Sequence, residues 1–430
     1  MYIKRVQVRN LKSLAEVEWR INTDQAPGWH VIIGDNGAGK SIFVSSIALA
    51  LVGPDEAPAL LEDWNDWLRR ETTDGRIQLD LCSDKAYDHF IGKGRISRSS
   101  LALALQFVRD RVRPDEVKLK KEPLGQDPFR SVWGGGEGWF SAAYGPFRRF
   151  SGSDPAEDRK YYRYARLARH LSVFSESFAL TESLNWLEDL HVKQLEGNPA
   201  GQFLGAVKQF VNQDGFLPNH TRLDEVTSDG VKFSDGNGCR VWMEDLSDGY
   251  RSILSMTLEL LRQLDRCYGA ERVFGPDDPT TIIAPGVVLI DEVDAHLHPI
   301  WQRRIGPWFR RHFPKMQFIV TTHSPFVCQA AEHGTVFKLP APGSNEMSRM
   351  LTGIELDRLL YGNILEAYST EAFGNGRTRS EASRHRVRKL AELNLKELDG
   401  GLTETERSEQ QRLRAMFPTT AHLTEREAAK

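Results

Sequence analysis

Apolar residues recur along this chain in distinct patterns, and each pattern predicts a different kind of element. Residues 2–9, Tyr-Ile-Lys-Arg-Val-Gln-Val-Arg, alternate with a period of two, and Val17-Glu18-Trp19-Arg20-Ile21 alternates again. Two half-buried strands pairing as a hairpin are therefore expected around the polar turn at 10–14. Continuous apolar runs at 29–33 and 316–322 read as buried strands. A third, Gly286-Val287-Val288-Leu289-Ile290, is apolar on both faces and reads as a central parallel strand. Residues 76–81 and 140–145 read as further strands, while 101–112 fits a strand or a helix equally well. Helices are expected at 42–51, closed by Gly53-Pro54, at 253–264, and through most of 155–195, with 182–190 the clearest piece. The tail reads as helices over 353–368, 380–398 and 403–416, broken at Gly400-Gly401. Residues 114–138 hold Pro114, Pro123, Pro128 and a glycine run, and read as loop. Gly and Pro interrupt 52–245 so often that no heptad run fits, which excludes a long coiled-coil arm.

Composition narrows the class. The 430 residues are 40% hydrophobic and 27% charged, the balance of a globular protein with room for two or three domain-sized units. A net charge of −3 makes no global case for nucleic acid or an anionic membrane. Cys82, Cys239, Cys267 and Cys328 are scattered with no CxxC pair, which favours a reducing cytosol over disulfides or structural zinc. No apolar run approaches the roughly 20 residues of a membrane span, and Met1-Tyr2-Ile3-Lys4-Arg5 is too polar for a signal peptide. A cytoplasmic protein is expected, with no membrane partner.

The candidate chemistry begins where the first buried strand ends. Gly34-Asp35-Asn36-Gly37-Ala38-Gly39-Lys40-Ser41 lies between a strand and a helix, which is the setting a phosphate-binding loop requires. Glycines let the backbone bend around a phosphate and aim its N–H groups inward, and the helix N-terminus adds a positive dipole end. Lys40 should reach the β/γ-phosphates of ATP and Ser41 should ligate Mg²⁺. The run at 286–290 closes on Asp291-Glu292, placing two carboxylates at the carboxyl end of a central strand. Asp291 is suited to the Mg²⁺ shell and Glu292 to activating the attacking water. His323, at the end of the next buried strand, can meet the γ-phosphate and that water. His296 and His298 would point apart on a helix and have no third ligand nearby, which argues against zinc. Ser247 and Gly249, in Leu246-Ser247-Asp248-Gly249-Tyr250, precede an apolar helix; the serine fits a simple cap or an anion site equally well.

Taken in order, the phosphate loop, Leu-Ser-x-Gly, the apolar strand with Asp-Glu, Asp294 and His323 resemble the ATP-binding-cassette ATPases. The opening strand, Ile3 to Ser13, is similar to that of the RecF-like, chromosome-maintenance and OLD-type branch. The resemblance implies an α/β, ABC-type P-loop ATPase head: a mixed sheet flanked by helices, with an inserted helical subdomain and a helical C-terminal extension. It divides the chain into an N-terminal ATPase lobe (1–150), a helical insert (151–240), a C-terminal ATPase lobe (241–343) and a helical extension for partner binding (344–430). It also implies a homodimer or higher homo-oligomer in which Ser247 and Gly249 complete the partner's ATP site, with Asp294 communicating across it. Asp248 and Tyr250 depart from the usual Leu-Ser-Gly-Gly-Gln. Residues 359–365 through 372–374, together with Leu246–Ser252 and Tyr144-Gly145-Pro146-Phe147-Arg148, are similar to the ATPase subunits of Septu-like and retron-linked antiphage systems. Those ATPases work beside a separate HNH-type nuclease. The tail has no DxD pair to frame a nuclease in cis, so the implied function is an ATPase that regulates a separate nuclease subunit. The alternative is a RecF-like DNA-repair clamp; Arg377, Arg379, Arg384, Arg386, Arg388 and Lys389 would suit DNA, RNA or a partner, or only a solvated helix face. The opening strand argues against a membrane transporter's motor subunit.

Overall fold

The computed structural model describes residues 1–430 except 62, 94–100, 111, 114–115, 136, 277, 363–366, 369, 374–380 and 418–430. The alternation at the start of the chain forms a hairpin: β1 (Tyr2–Leu11) pairs antiparallel with β2 (Leu14–Arg20). Pairing runs out to Leu11 and Leu14, so the turn is tighter than expected, with Asn10 and Lys12 at left-handed φ values of 54° and 47°. With β4 (Asp74–Cys82), β5 (Leu101–Arg109) and β6 (Val117–Lys121) the hairpin makes an antiparallel sheet ordered β2-β1-β4-β5-β6. The ambiguous segment at 101–112 is thus a strand, because β4 offers it a partner along its whole length and buries Leu103, Leu105 and Phe107. β6 corrects the reading of 114–138 as loop. Its Val117-Lys118-Leu119-Lys120-Lys121 is a lysine-guarded edge strand whose short alternation was hidden between prolines.

A second sheet carries the site. β3 (Gly28–Ile33), β7 (Ser141–Tyr144), β13 (Gly286–Ile290), β14 (Met316–Thr321), β15 (Gly334–Lys338) and β16 (Arg349–Met350) are ordered β16-β15-β3-β14-β13-β7. All neighbours are parallel except β15 and β16. Between the two sheets lies α1 (Lys40–Val52), in contact with β1, β4 and β5 on one side and β7, β13 and β14 on the other. A helix apolar all round belongs in such a place, and every residue from Ser46 to Val52 is buried. The register sets neighbouring strand ends side by side, with Ile290 opposite Val320 and Thr321 opposite Ile32. The residues that follow β3, β13 and β14 therefore leave the sheet at one edge, where ligands bind in open α/β sheets.

The segment between β7 and the second lobe contains α2 (Pro155–Arg163), α3 (Ala165–Ala168), α4 (Leu171–Phe174), α5 (Glu182–Leu195) and α6 (Phe203–Val211). It also holds a small sheet of β8 (Arg222–Thr227), β9 (Gly230–Ser234) and β10 (Arg240–Trp242), which helical periodicity did not announce. The amphipathic α7 (Asp248–Tyr268) follows, then the hairpin β11 (Phe274–Gly275) and β12 (Asp278–Ile282). α8 (Pro299–His312), α9 (Pro325–Cys328) and α10 (Gly353–Tyr361) complete the first of two units, Met1–Ala367; α10 is shorter than the helix expected over 353–368, part of which lies outside the described residues.

In the second unit, Tyr368–Lys430, the described residues include a helical hairpin of α11 (Glu381–Asp399) and α12 (Glu404–Met416). Leu390, Leu393 and Leu413 form its core, with Leu402 and Phe417 packed against them. Thr403 and Glu406 close a capping box at the start of α12. Arg384, Arg386, Arg388 and Lys389 are exposed on α11, while Arg377 and Arg379 lie outside the described residues. Among the described residues no helix is long and apolar enough to cross a membrane.

Candidate active site

The loop from Gly34 to Ser41 turns from β3 into α1 through Gly37 and Gly39, at φ of 79° and 94°. Gly39 has no room for a side chain: a Cβ there would lie 2.5 Å from Leu14 Cδ2 and 2.8 Å from Ser13 Oγ. The hairpin turn thus braces the loop from below. Lys40 is buried, and its ammonium donates to the carbonyls of Gly34 (2.8 Å) and Asp35 (3.1 Å), bridging the loop's first residues. Burial lowers the Lys40 pKa, while Asp291, Glu292, Asp35 and Asp294 act in the opposite direction. Asp35, Asn36, Gly37 and Ser41 are exposed, Gly34 is half-buried, and Ala38 and Gly39 are buried.

Across from the loop stand the carboxylates. Asp291 is 3% exposed, and its Oδ1 accepts the Thr321 hydroxyl proton at 2.5 Å. The same Thr321 oxygen accepts from the Glu292 N–H at 2.7 Å. Glu292 itself sits at φ 46°, a left-handed conformation uncommon outside glycine. One residue on, the Thr322 hydroxyl donates to Asp294 Oδ1 at 2.5 Å. Two threonines at the end of β14 therefore hold the acidic segment after β13, a role the sequence reading did not give them. His323 follows and is exposed.

A further residue had gone unassigned. Arg148, just past β7, is 6% exposed and donates four hydrogen bonds. They go to the carbonyls of Gly145 (3.2 Å), Asp291 (3.1 Å) and Glu292 (3.1 Å) and to Ser252 Oγ (2.9 Å) on α7. Burial brings its guanidinium down to about 10, against the pull of Asp291, Asp294 and Glu292.

Ser247 occupies the N-cap position of α7, yet its exposed hydroxyl makes no capping bond. Gly249 packs beneath the loop after Asp294; a Cβ would meet the His296 carbonyl oxygen at 2.8 Å. Ser247, Gly249, Tyr250, His296, His298 and Trp301 line a cavity of about 550 Å³ that includes none of the phosphate-loop residues. The sequence-derived residues thus form two groups within one chain. Lys40, Asp291 and Glu292 converge, and Ser247 and Gly249 gather with the segment after Asp294.

A magnesium ion fits the donors at the first group. Among the described residues Asp291 keeps one carboxylate oxygen without a hydrogen bond, and Ser41 offers an exposed hydroxyl in the first turn of α1. Mg²⁺ favours such sparse oxygen ligation, completed by water and phosphate.

Residues 107–329 match the family described as AAA domain, putative AbiEii toxin, Type IV TA system. The chain is 24% identical to the Septu protein PtuA of Bacillus mycoides (strain KBAB4) over 345 residues, which cover 78% of this chain and 40% of that protein. It is 34% identical over 124 residues to the Retron Ec83 probable ATPase of Escherichia coli, covering 29% of this chain and 22% of the relative. To the Septu protein PtuA of Bacillus thuringiensis it is 34% identical over 119 residues, 27% of this chain and 28% of that one. The chain thus spans less than half the length of these curated relatives. Among solved structures, the SmcHead bound to the C-winged helix domain of ScpA aligns with 83% of this chain and 99% of its own, at a TM-score of 0.49 and 13% identity.

Proposed function

Because the chain belongs to the AAA-domain family described as putative AbiEii toxin, Type IV TA system, and is an ABC-type ATPase of the antiphage-defence kind, we propose that it binds and hydrolyses MgATP in the cytoplasm as a dimer or higher oligomer, and that it governs a separate HNH-type nuclease through that cycle. The observation that carries the ATPase part is the convergence of Lys40 with Asp291 and Glu292 at one sheet edge. In this reading the N–H groups of 34–41 cradle the phosphates, and Lys40 neutralises the β- and γ-oxygens. Ser41 and Asp291 would hold Mg²⁺, which would supply positive charge against the phosphate oxygens. Glu292 takes the proton of the attacking water, and His323 steadies that water and the γ-phosphate. Ser247 and Gly249 of the opposite chain close the site, and the free Ser247 hydroxyl supports that assignment. No nuclease domain in cis is proposed; the nuclease partner rests on the resemblance to Septu and retron-linked ATPases.

Two substitutions test the ATPase core. Lys40→Ala should abolish nucleotide binding, and Glu292→Gln should retain ATP and accumulate the ATP-linked dimer, read as mass in solution. Wild-type hydrolysis by Glu292→Gln would reject Glu292 as the base. For the partner, a tagged chain recovered from its host should bring a nuclease subunit with it. A lone dimer that gains DNA affinity with ATP would instead favour the repair-clamp reading, with the steep salt dependence of phosphate contacts.

A further inference from the structure

Arg148 joins three segments that the chain keeps far apart. Its bonds reach Ser252, 104 residues away, and the carbonyls of Asp291 and Glu292, 143 and 144 residues away. Five donors in a rigid planar fork can serve several acceptors at once, and a lysine ammonium cannot reproduce that geometry. We propose that Arg148 is a positioning residue that transmits the docking of the signature segment to the catalytic carboxylate within the same chain. The proposal rests on the reading of Ser247 and Gly249 as contacts to the partner's nucleotide and of Glu292 as the base.

The geometry gives the link its direction. Ser252 lies one turn beyond Ser247–Gly249 on α7, is 1% exposed, and moves with the helix as a rigid body. Its hydroxyl holds Arg148 Nε, and the other arm of the same guanidinium holds the Glu292 carbonyl. Glu292 is fixed from both sides of its backbone, by Thr321 at the N–H and by Arg148 at the carbonyl, in a left-handed conformation that needs such support. A shift of α7 as Ser247 and Gly249 meet nucleotide therefore reaches the Glu292 peptide through one buried side chain. Among the described residues none of the hydrogen bonds along this path goes to residues 34–41, so nucleotide affinity and turnover should separate.

The test is a double-substitution cycle on single-turnover hydrolysis, with nucleotide affinity measured alongside. Ser252→Ala removes only the acceptor on α7 and leaves the bonds from Arg148 to the carbonyls in place. It should lower the hydrolysis rate about tenfold, in line with small misplacements of a catalytic group, with nucleotide affinity unchanged. Arg148→Lys, which keeps the charge without the fork, should behave alike. Ser247→Ala should also lower the rate, and adding Ser252→Ala to it should cost little more, because both break one path. Wild-type turnover by Ser252→Ala, or effects of Ser247→Ala and Ser252→Ala that multiply, would overturn the proposal. A silent Ser247→Ala beside an impaired Ser252→Ala would overturn it too, by removing the signature contact while sparing the ATPase reading. Loss of nucleotide affinity in Ser252→Ala would reduce Arg148 to a structural role.

Discussion

Replacing Thr321 by valine keeps the shape of the β14 terminus and removes one hydroxyl that does two jobs. In the wild type the hydroxyl donates to the Asp291 carboxylate at 2.5 Å and accepts from the Glu292 N–H at 2.7 Å. A hydrogen bond to a charged group contributes about 1.5–3 kcal/mol, and an N–H left without its partner costs about 1–3 kcal/mol more. The Glu292 N–H can recover part of this from water, so a net loss of about 3 kcal/mol in unfolding free energy is expected. The functional effect should be sharper than the loss of stability. Asp291 would no longer be oriented, and in its proposed place at magnesium the loss of such an outer partner should weaken metal binding about 10–100-fold. The assay is a magnesium titration of ATP binding by Thr321→Val, with Thr321→Ser as the variant that restores the hydroxyl. A magnesium requirement within about threefold of wild type in Thr321→Val would refute the argument, whatever happened to stability.

Two further outcomes follow from packing and from a buried base. Gly39→Ala places a methyl group 2.5 Å from Leu14 Cδ2 at φ 94°, so overlap and left-handed strain together should cost about 3 kcal/mol and weaken nucleotide binding. A variant with wild-type affinity and denaturant midpoint would contradict this. His30 is fully buried between Ala26 O and Thr335 Oγ1, and burial lowers its pKa from 6.5 to about 4. The folded state therefore holds it neutral, the unfolded chain takes the extra proton, and stability present above 6.5 is lost as pH falls toward about 4. His30 should contribute a loss of about 2 kcal/mol between about pH 7.5 and about pH 5, seen as a falling denaturant midpoint. A His30→Asn variant with the same pH slope as wild type would count against it.

Much of this architecture is legible where the information is local. The phosphate loop needs only its own glycines and the helix after it, and the run at 286–290 states its burial on both faces. The carboxylates after that run could be placed because a parallel strand delivers its end to the ligand edge. What stayed hidden depends on distant partners. Arg148 could be matched only as the last letter of Tyr144-Gly145-Pro146-Phe147-Arg148, because nothing near it in sequence discloses acceptors more than a hundred residues away. Thr321 and Thr322 looked like the tail of an apolar strand; two hydroxyls closing such a run were the one available signal. β6 was lost among prolines, and 101–112 became a strand only once β4 supplied its partner. Gly249 could be matched as a motif letter, but that it lies under the His296 carbonyl needed coordinates.

The position of β3 in its sheet has a consequence for how the molecule comes into being. This strand is complete by Ile33, yet both of its hydrogen-bonded neighbours, β14 and β15, lie at 316–321 and 334–338. A ribosome adding about 5–20 residues per second needs roughly 15–60 seconds to cover that interval. During it the strand that launches the phosphate loop has no partner on either edge, and its apolar residues are a hazard that a chaperone would have to shield. Until β14 has been made, the loop after β3 and the carboxylates after β13 have no strand between them to set their spacing.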